Sequence, residues 1–155
     1  MVADQARLAV EVVKAVRAPV TPAFARSVLG RAAALPELVA RLPEGRCSIA
    51  LRITGDRELR RLNKKYGGND SVTDVLSFAG SDGHLGDVAI SWPAVVRQAA
   101  EYGQPQLTEF GLLCVHGMLH LLGWDHTSAS ERREMVRVTL AALQLSGLRP
   151  APGRL

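Results

Sequence analysis

The sequence predicts an α+β domain with a small mixed sheet of about four strands and helices packed against it. Strand-like segments lie mostly before residue 92, and helical segments dominate the second half. A chain of 155 residues with 47% hydrophobic content has the size of one domain. We expect residues 1–148 to form it. Residues 149–155, RPAPGRL, contain two prolines and little to bury, so we expect a disordered tail.

The N-terminal part of the chain predicts a strand followed by a helix. Arg7–Val16 is rich in β-branched residues and partly alternates, which favours a strand, with a helix as the alternative. Thr21 before Pro22 is typical of an N-cap with proline in the first helical turn. The helix should run to about Leu42, kinked or split by Pro36.

The middle of the chain supplies the other strands. Cys47–Thr54 alternates apolar and polar residues, as a half-buried strand does. Asp56–Tyr66 is a charged helix, capped by Thr54 or Asp56 and closed by two glycines. Two further strands flank the turn-like sequence GSDGH, and they are VLSFA, 75–79, and LGDVAIS, 85–91.

Helices make up the rest of the chain. One should begin at Pro93 and end near Tyr102, and a second should begin at Leu107. The last should begin at Ser130 and Glu131 and end at Gly147. Its arginines, 132, 133 and 137, can form a basic stripe that faces an acidic partner such as a nucleic acid, although a solvated face paired with glutamates is the more common arrangement.

The most informative segment is HGMLHLLGWDH, which carries three histidines. His116 and His120 are four residues apart in an apolar helix, so they share one face. Gly123 ends that helix and lets the chain reverse, which brings His126 back towards the pair. Three imidazoles suit one Zn²⁺ ion and leave a fourth position for water or substrate. Histidines bonded to backbone in a buried helix are the alternative for the first two alone.

Two carboxylates are weak candidates for supporting such a metal. Asp125 precedes His126 and can orient a metal-bound imidazole. The histidine and glycine spacing matches the metzincin pattern, but Gly117 stands where that pattern has its glutamate base. Without that glutamate, either a metal-bound hydroxide acts unaided or a carboxylate from elsewhere serves as the base. Glu109 is the candidate for this catalytic role, because it is two turns before His116 on roughly the same face, although a surface salt bridge is its more common role. His84 lies in a loop-like segment, which favours a solvated side chain.

The chain resembles the YbeY-type endoribonucleases, bacterial ribosomal RNA maturation factors. HGMLHLLGWDH fits every fixed position of the signature H-G-x-L-H-L-x-G-[YW]-D-H. The likeness extends to NKKYGGNDSVTDVLSF, 63–78, and to LGDVAIS, and covers roughly residues 8–147.

The resemblance implies a zincin-like fold with His116, His120 and His126 as ligands of one zinc ion. It implies action on single-stranded RNA in 16S ribosomal RNA 3′-end maturation and ribosome quality control, with the ribosome or small-subunit assembly proteins as partners. It also implies that strand VLSFA lies along the metal cleft. Polar residues near that cleft are then candidates for shaping it, and these are Thr73, Asp74, Ser77 and Asp87. Turn capping and ordinary strand polarity are their alternative roles.

The sequence departs from the family pattern in three places. Gly67 replaces an arginine that faces the cleft and is implicated in RNA work. Arginine offers a planar donor fork for phosphate, whereas the neighbouring Lys64 and Lys65 offer only compact charges. Val72 and Ala79 replace prolines, which should alter loop stiffness more than chemistry.

Composition is consistent with a cytoplasmic partner of RNA. The net charge is +4 and the pI is near 9.6, which favours an acidic partner without requiring one. Cys47 and Cys114 fall in apolar segments, as buried thiols of a reducing compartment do. No apolar run reaches the roughly 18 residues that cross a bilayer, and no signal peptide is recognisable.

Three functions compete at this point. The leading hypothesis is a zinc-dependent endoribonuclease. A zincin-type metallopeptidase is the alternative suggested by histidine spacing, and Gly117 argues against it. The third is a non-catalytic ribosome-binding factor in which zinc mainly stabilises the C-terminal half.

Overall fold

A computed structural model describes residues 7–67 and 73–155. In this part of the chain, four strands form one sheet. They are β1 (Leu8–Lys14), β2 (Cys47–Thr54), β3 (Val75–Ala79) and β4 (His84–Ser91). Val72, one of the three departures from the family pattern, lies outside the described residues.

The sheet is mixed, in the order β1-β2-β4-β3. Strands β1, β2 and β4 run parallel, and β3 pairs with β4 in the antiparallel direction at one edge. The parallel neighbours need long crossover connections, which helices supply, whereas a short turn joins β3 to β4. The edge strand β3 is the one that borders the site described below.

Six helices are assigned in the described residues. They are α1 (Pro22–Ala32), α2 (Pro36–Val39), α3 (Asp56–Gly67), α4 (Trp92–Tyr102), α5 (Gln106–Leu121) and α6 (Ala129–Gln144). Thr21 caps α1 as expected, since its hydroxyl accepts a hydrogen bond from Phe24 N at 3.1 Å. Pro36 splits the long predicted helix and opens α2. Helix α6 starts slightly earlier than predicted because Ser128 provides its N-cap.

Helix α5 occupies the centre of the molecule. It contacts α1, α4 and α6 and also strands β3 and β4. Its apolar residues are therefore buried on nearly all sides, which explains why its sequence has a continuous apolar run instead of one apolar stripe. The largest fully buried side chains are Phe110, Leu29, Leu38, Ile49, Leu51, Ile53, Leu59, Ile90, Leu113, Met118, Leu119 and Leu143.

The C-terminal segment is a correction to the sequence prediction. Residues 149–155 were expected to be disordered, but they fold back along α4 and α5. Ala151 N donates to Gln104 Oε1 at 2.6 Å, and the Arg154 guanidinium bonds the buried Glu109 carboxylate at 2.7 Å. The two prolines reduce the conformational freedom that the segment loses on folding. The buried Glu109 carboxylate then provides a specific partner for Arg154, and local sequence does not reveal this contact.

Candidate metal centre

The first two histidines are positioned by the last two turns of α5. His116, His120 and Leu121 are half-buried in turns whose other residues are buried, and all three line a cleft. Their Nε2 atoms lie 3.0 Å apart. Two ligands of a tetrahedral ion with bonds of 2.0–2.1 Å lie roughly 3.3 Å apart, so this helix already holds the pair close to ligand spacing.

A tight reversal after α5 brings in the third histidine. Gly123 adopts φ 94°, the left-handed conformation that glycine tolerates. Arg41 Nη1 donates to Leu122 O at 3.3 Å, and the guanidinium lies 3.6 Å from the centre of the Trp124 ring. This cation therefore braces the reversal that carries His126, an interaction that spans 81 residues of sequence and has no local signal.

The three rings converge on one point. Ligand nitrogens of His116, His120 and His126 all lie within 4.8 Å of one another. The first two are half-buried and the third is exposed, which leaves one side of the group open to solvent. The donor set therefore fits one metal ion with an open coordination position.

The protonation of His116 and His120 favours metal binding at neutral pH. Burial, followed by the charge of His120, lowers the pKa of His116 to about 4, although Asp74 opposes the shift. Burial and then His126 lower the pKa of His120, with Asp125 acting in the other direction. Both imidazoles are neutral at pH 7, and neutral imidazole is the form that binds metal.

The histidines form one wall of a cleft of about 590 Å³. The start of β3 forms the opposite wall, which agrees with the expected place of strand VLSFA. The lining residues are Thr73, Asp74, Val75, Leu76, Ser77, Ala79, His116, His120, Leu121 and His126.

Comparisons with known proteins give the family of this chain. The endoribonuclease YbeY family profile matches residues 24–146. The chain belongs to the endoribonuclease YbeY family. An endoribonuclease YbeY from Aromatoleum aromaticum is 38% identical over 143 residues, which cover 91% of this chain and 90% of that protein. The protein of that name from Chloroflexus aurantiacus is 50% identical over 109 residues, covering 62% and 70% respectively.

A solved structure supports the same fold. A Thermotoga maritima protein with a known solution structure is similar over 95% of this chain and 100% of its own, with a TM-score of 0.53 and 19% identity. The predicted resemblance to YbeY proteins and the α+β, zincin-like architecture are therefore confirmed. Among the described residues, no helix is both long and apolar enough to span a membrane.

The structure explains why this YbeY protein has glycine at the position of the metzincin base. A Cβ at Gly117 would lie 2.6 Å from Val88 Cγ1 and 3.3 Å from Ser77 Oγ. Helix α5 therefore packs too closely on β4 and β3 for a glutamate side chain there. Ser77 Oγ also donates to Gly117 O at 3.0 Å, so this cleft residue ties the sheet to the metal helix.

Thr73 and Asp74 line the cleft as predicted, and each also has a local partner. Thr73 Oγ1 donates to Val75 O at 3.4 Å. Asp74 Oδ2 accepts a hydrogen bond from Gln98 Nε2 at 3.0 Å. The backbone of Asp74 is held as well, since its carbonyl accepts from Ser91 N at 2.9 Å.

Asp87 does not shape the metal cleft, which corrects the sequence prediction. Successive strand residues face opposite sides of a sheet, and its neighbour Val88 faces α5. The Asp87 side chain is 62% exposed and lies 3.0 Å from His84 Nε2. His84 Nδ1 lies 2.7 Å from Ser48 Oγ, so these residues form a separate polar cluster.

The two lysines are not part of the described cleft lining. Lys64 and Lys65 are exposed in the last turn of α3, and Lys65 Nζ lies 5.2 Å from the Tyr66 ring. Arg132 is closer to the metal ligands, because its Nη1 donates to His126 O at 3.4 Å. Their roles towards RNA stay predictions.

Asp125 lies beside the third histidine without a hydrogen bond to its ring. Its Oδ1 accepts from the backbone N of His126 at 2.7 Å and is 3.8 Å from the Nδ1 atom of that residue. This contact stabilises the loop. Orientation of a metal-bound imidazole by Asp125 stays a prediction.

Glu109 is not a surface residue, which corrects the sequence interpretation. The side chain is fully buried, and both carboxylate oxygens accept hydrogen bonds from Arg154 at 2.7 and 2.8 Å. Gln104 Nε2 donates a further bond at 2.8 Å. With its oxygens engaged in this way and outside the cleft lining, Glu109 lacks the accessibility that a base requires.

Proposed function

We propose that this protein is a zinc-dependent endoribonuclease that cleaves single-stranded RNA during 16S ribosomal RNA 3′-end maturation and ribosome quality control. The observation that carries the proposal is the convergence of His116, His120 and His126 at an open cleft. The relatives are named endoribonucleases, which makes RNA the substrate class to test first. Ribosomal RNA and the ribosome come from the family resemblance.

The side chains that would hold zinc are the three histidines, and three imidazoles suit this ion better than magnesium or calcium. When bound in such a site, zinc supplies Lewis-acid chemistry towards a phosphoryl oxygen. The His116 ring is neutral at pH 7, so no proton has to be displaced from it. Thr73 and Ser77 line the same cleft as these ligands, which supports the proposal that they contact RNA.

Positive charge next to a metal ligand supports an RNA substrate. Arg132 lies next to the His126 loop. Lys64 and Lys65 end α3, outside the described cleft lining, and we propose them as additional phosphate contacts. Phosphate contacts of this type position a nucleic acid independently of its sequence. Cys47 and Cys114 are buried free thiols, which suits the cytoplasmic location that we propose for a ribosome-associated enzyme.

The deciding experiment is cleavage of an end-labelled RNA that carries the unprocessed 3′ end of small-subunit ribosomal RNA. Zinc-loaded wild type should cleave it, and His120→Ala should not. His84→Ala is the matched control, because it removes a histidine outside the metal group and should retain activity. Analysis of the new RNA ends would show whether water or the ribose 2′-hydroxyl attacks.

Two outcomes would overturn the proposal. Zinc-dependent cleavage of casein, lost in His120→Ala, together with intact RNA would indicate a metallopeptidase. Zinc-dependent stability and ribosome binding without turnover by pure protein would indicate a non-catalytic ribosome-binding factor.

A further inference from the structure

A buried ion pair joins the C-terminal segment to the core of the metal helix. The Glu109 carboxylate has 0% exposure and the Arg154 side chain has 14%. Arg154 uses both Nε and Nη2 towards the two carboxylate oxygens, at 2.8 and 2.7 Å. Such a pair is costly to desolvate unless its remaining hydrogen bonds are satisfied, so each further partner of these two groups has a structural consequence.

Besides Glu109, Arg154 contacts two residues of α4. Its guanidinium lies 5.1 Å from the centre of the Tyr102 ring, and it hydrogen-bonds to Gln98. Arg154 Nη2 donates to Gln98 Oε1 at 2.9 Å. A glutamine amide has one acceptor end and one donor end, so a guanidinium on the oxygen directs the nitrogen to the opposite side. The nitrogen donates to Asp74 Oδ2 at 3.0 Å. The Arg154 guanidinium only donates and the Asp74 carboxylate accepts, so both groups require the same orientation of the Gln98 amide, which is held between them.

Asp74 connects these contacts to the metal cleft, because it accepts the Gln98 hydrogen bond and also lines the cleft. Its carboxylate lines the cleft together with the three histidines. Both Asp74 and Arg154 act electrostatically on His116. The Gln98 bond and the backbone bond from Ser91 fix Asp74 at one oxygen and at its main chain. A fixed carboxylate beside a metal group can accept a hydrogen bond from an attacking hydroxyl.

We propose that Arg154 is a positioning residue of the metal cleft, acting through Gln98 to hold Asp74 where it accepts a proton from the water or ribose 2′-hydroxyl that attacks RNA. The attacking oxygen forms a new bond to phosphorus, the bond from phosphorus to the leaving ribose oxygen breaks, and that oxygen takes up a proton from solvent. This role rests on the proposed endoribonuclease function. The C-terminal segment then contributes to the site, although Arg154 lies 80 residues after Asp74 in the sequence. The buried Glu109 contributes indirectly, because its ion pair holds Arg154 in place.

The test compares zinc-loaded, full-length variants for kcat, KM, zinc content and thermal stability. Asp74→Asn should lower kcat by about 100-fold or more with little change in KM, as loss of an oriented proton acceptor does. Arg154→Met leaves Glu109 as an unpaired buried charge, so instability would complicate its kinetics. The double variant Glu109→Gln/Arg154→Met removes both charges and should fold, with kcat lowered by about 10 to 100-fold through misplacement of Asp74.

Arg149→Met is the matched control, because it removes an exposed arginine from the same segment and should leave kcat unchanged. The discriminating step adds Asp74→Asn to the charge-free double variant. If Arg154 acts through Asp74, the triple variant should be no slower than Asp74→Asn alone. The proposal would be overturned if the kcat losses of Asp74→Asn and of the double variant multiplied in the triple variant. It would also be overturned if Asp74→Asn, or a folded double variant, kept the kcat of the wild type.

A measurement that requires no RNA cleavage distinguishes the positioning role of Arg154 from the proposed endoribonuclease function. In NMR spectra, the side-chain amide signal of Gln98 should shift in Asp74→Asn and in the double variant but not in Arg149→Met. A zinc-loaded wild type that cleaves no RNA would overturn the proposed function and the catalytic role of Asp74 with it. An active wild type with an unmoved Gln98 signal would overturn the positioning role alone.

Discussion

The buried imidazole of His116 gives the metal-free protein a predictable response to acid. Burial and the charge of His120 lower its pKa to about 4 from 6.5. Between these pH values the unfolded chain binds a proton here that the folded chain does not, so stability is retained above pH 6.5 and falls below it. The loss should reach up to about 1.4 kcal/mol per pH unit for this group.

Urea unfolding of the metal-free protein across this pH window measures the effect. His116→Gln, which cannot titrate, should show a shallower loss than the wild type. Equal slopes for the two proteins would contradict the assignment of the acid response to this histidine.

Gly117 is expected to tolerate no side chain, because helix and sheet meet at its Cα. The Cβ of Gly117→Ala would lie 2.6 Å from Val88 Cγ1. Overpacking of this kind costs about 1–3 kcal/mol, against roughly 1 kcal/mol gained from the helix propensity of alanine. We expect a net loss of stability in denaturant titrations.

Gly30→Ala provides the control for that substitution. Gly30 is also helical, but a Cβ there meets nothing within 4 Å, so only the propensity gain remains. This variant should be more stable than the wild type by up to about 1 kcal/mol. Equal stabilisation of both alanine variants would show that α5 has more room against β4 than the structure gives it.

At the scale of elements, the N-cap of α6 connects helix stability to the third metal ligand. Ser128 Oγ accepts from Glu131 N at 3.1 Å, and the loop that carries His126 ends at this cap. Ser128→Ala should cost about 1 kcal/mol of stability and should weaken zinc binding, because the loop loses its fixed end.

Thr21→Ala is the comparison, since Thr21 caps α1 with the same side-chain hydrogen bond and does not follow a loop that carries a metal ligand. It should lose similar stability and keep the zinc affinity of the wild type. Zinc competition titrations on both variants measure the difference. An unchanged affinity in Ser128→Ala would show that the metal loop is held without the α6 cap.

Local sequence signals were sufficient for most of these elements. Alternation identified β2, a threonine–proline pair identified the start of α1, and Gly123 identified the reversal after α5. The histidine spacing brought together His116 and His120 because helix geometry alone determines that contact.

The parts that sequence analysis missed depend on contacts between distant residues. Asp87 was assigned to the wrong face because the pleat direction of β4 is set by packing on α5. Glu109 and the C-terminal segment were misassigned because their ion pair joins residues 45 positions apart. No periodicity or capping rule reports such a pair, and an isolated glutamate on a helix is usually exposed.

For the molecule as a whole, zinc should act as a bridge between α5 and the loop before α6. Two ligands are on the helix and one is on the loop, so an ion binds the folded chain and not the separated segments. Free zinc at 100 times its dissociation constant should stabilise the protein by about 2.7 kcal/mol. Thermal unfolding with and without a chelator measures this as a reversible rise in Tm.

His120→Ala should fold but lose the rise in Tm, whereas His84→Ala should keep it. The same rise in both variants would mean that zinc stabilises the protein somewhere other than at the three histidines.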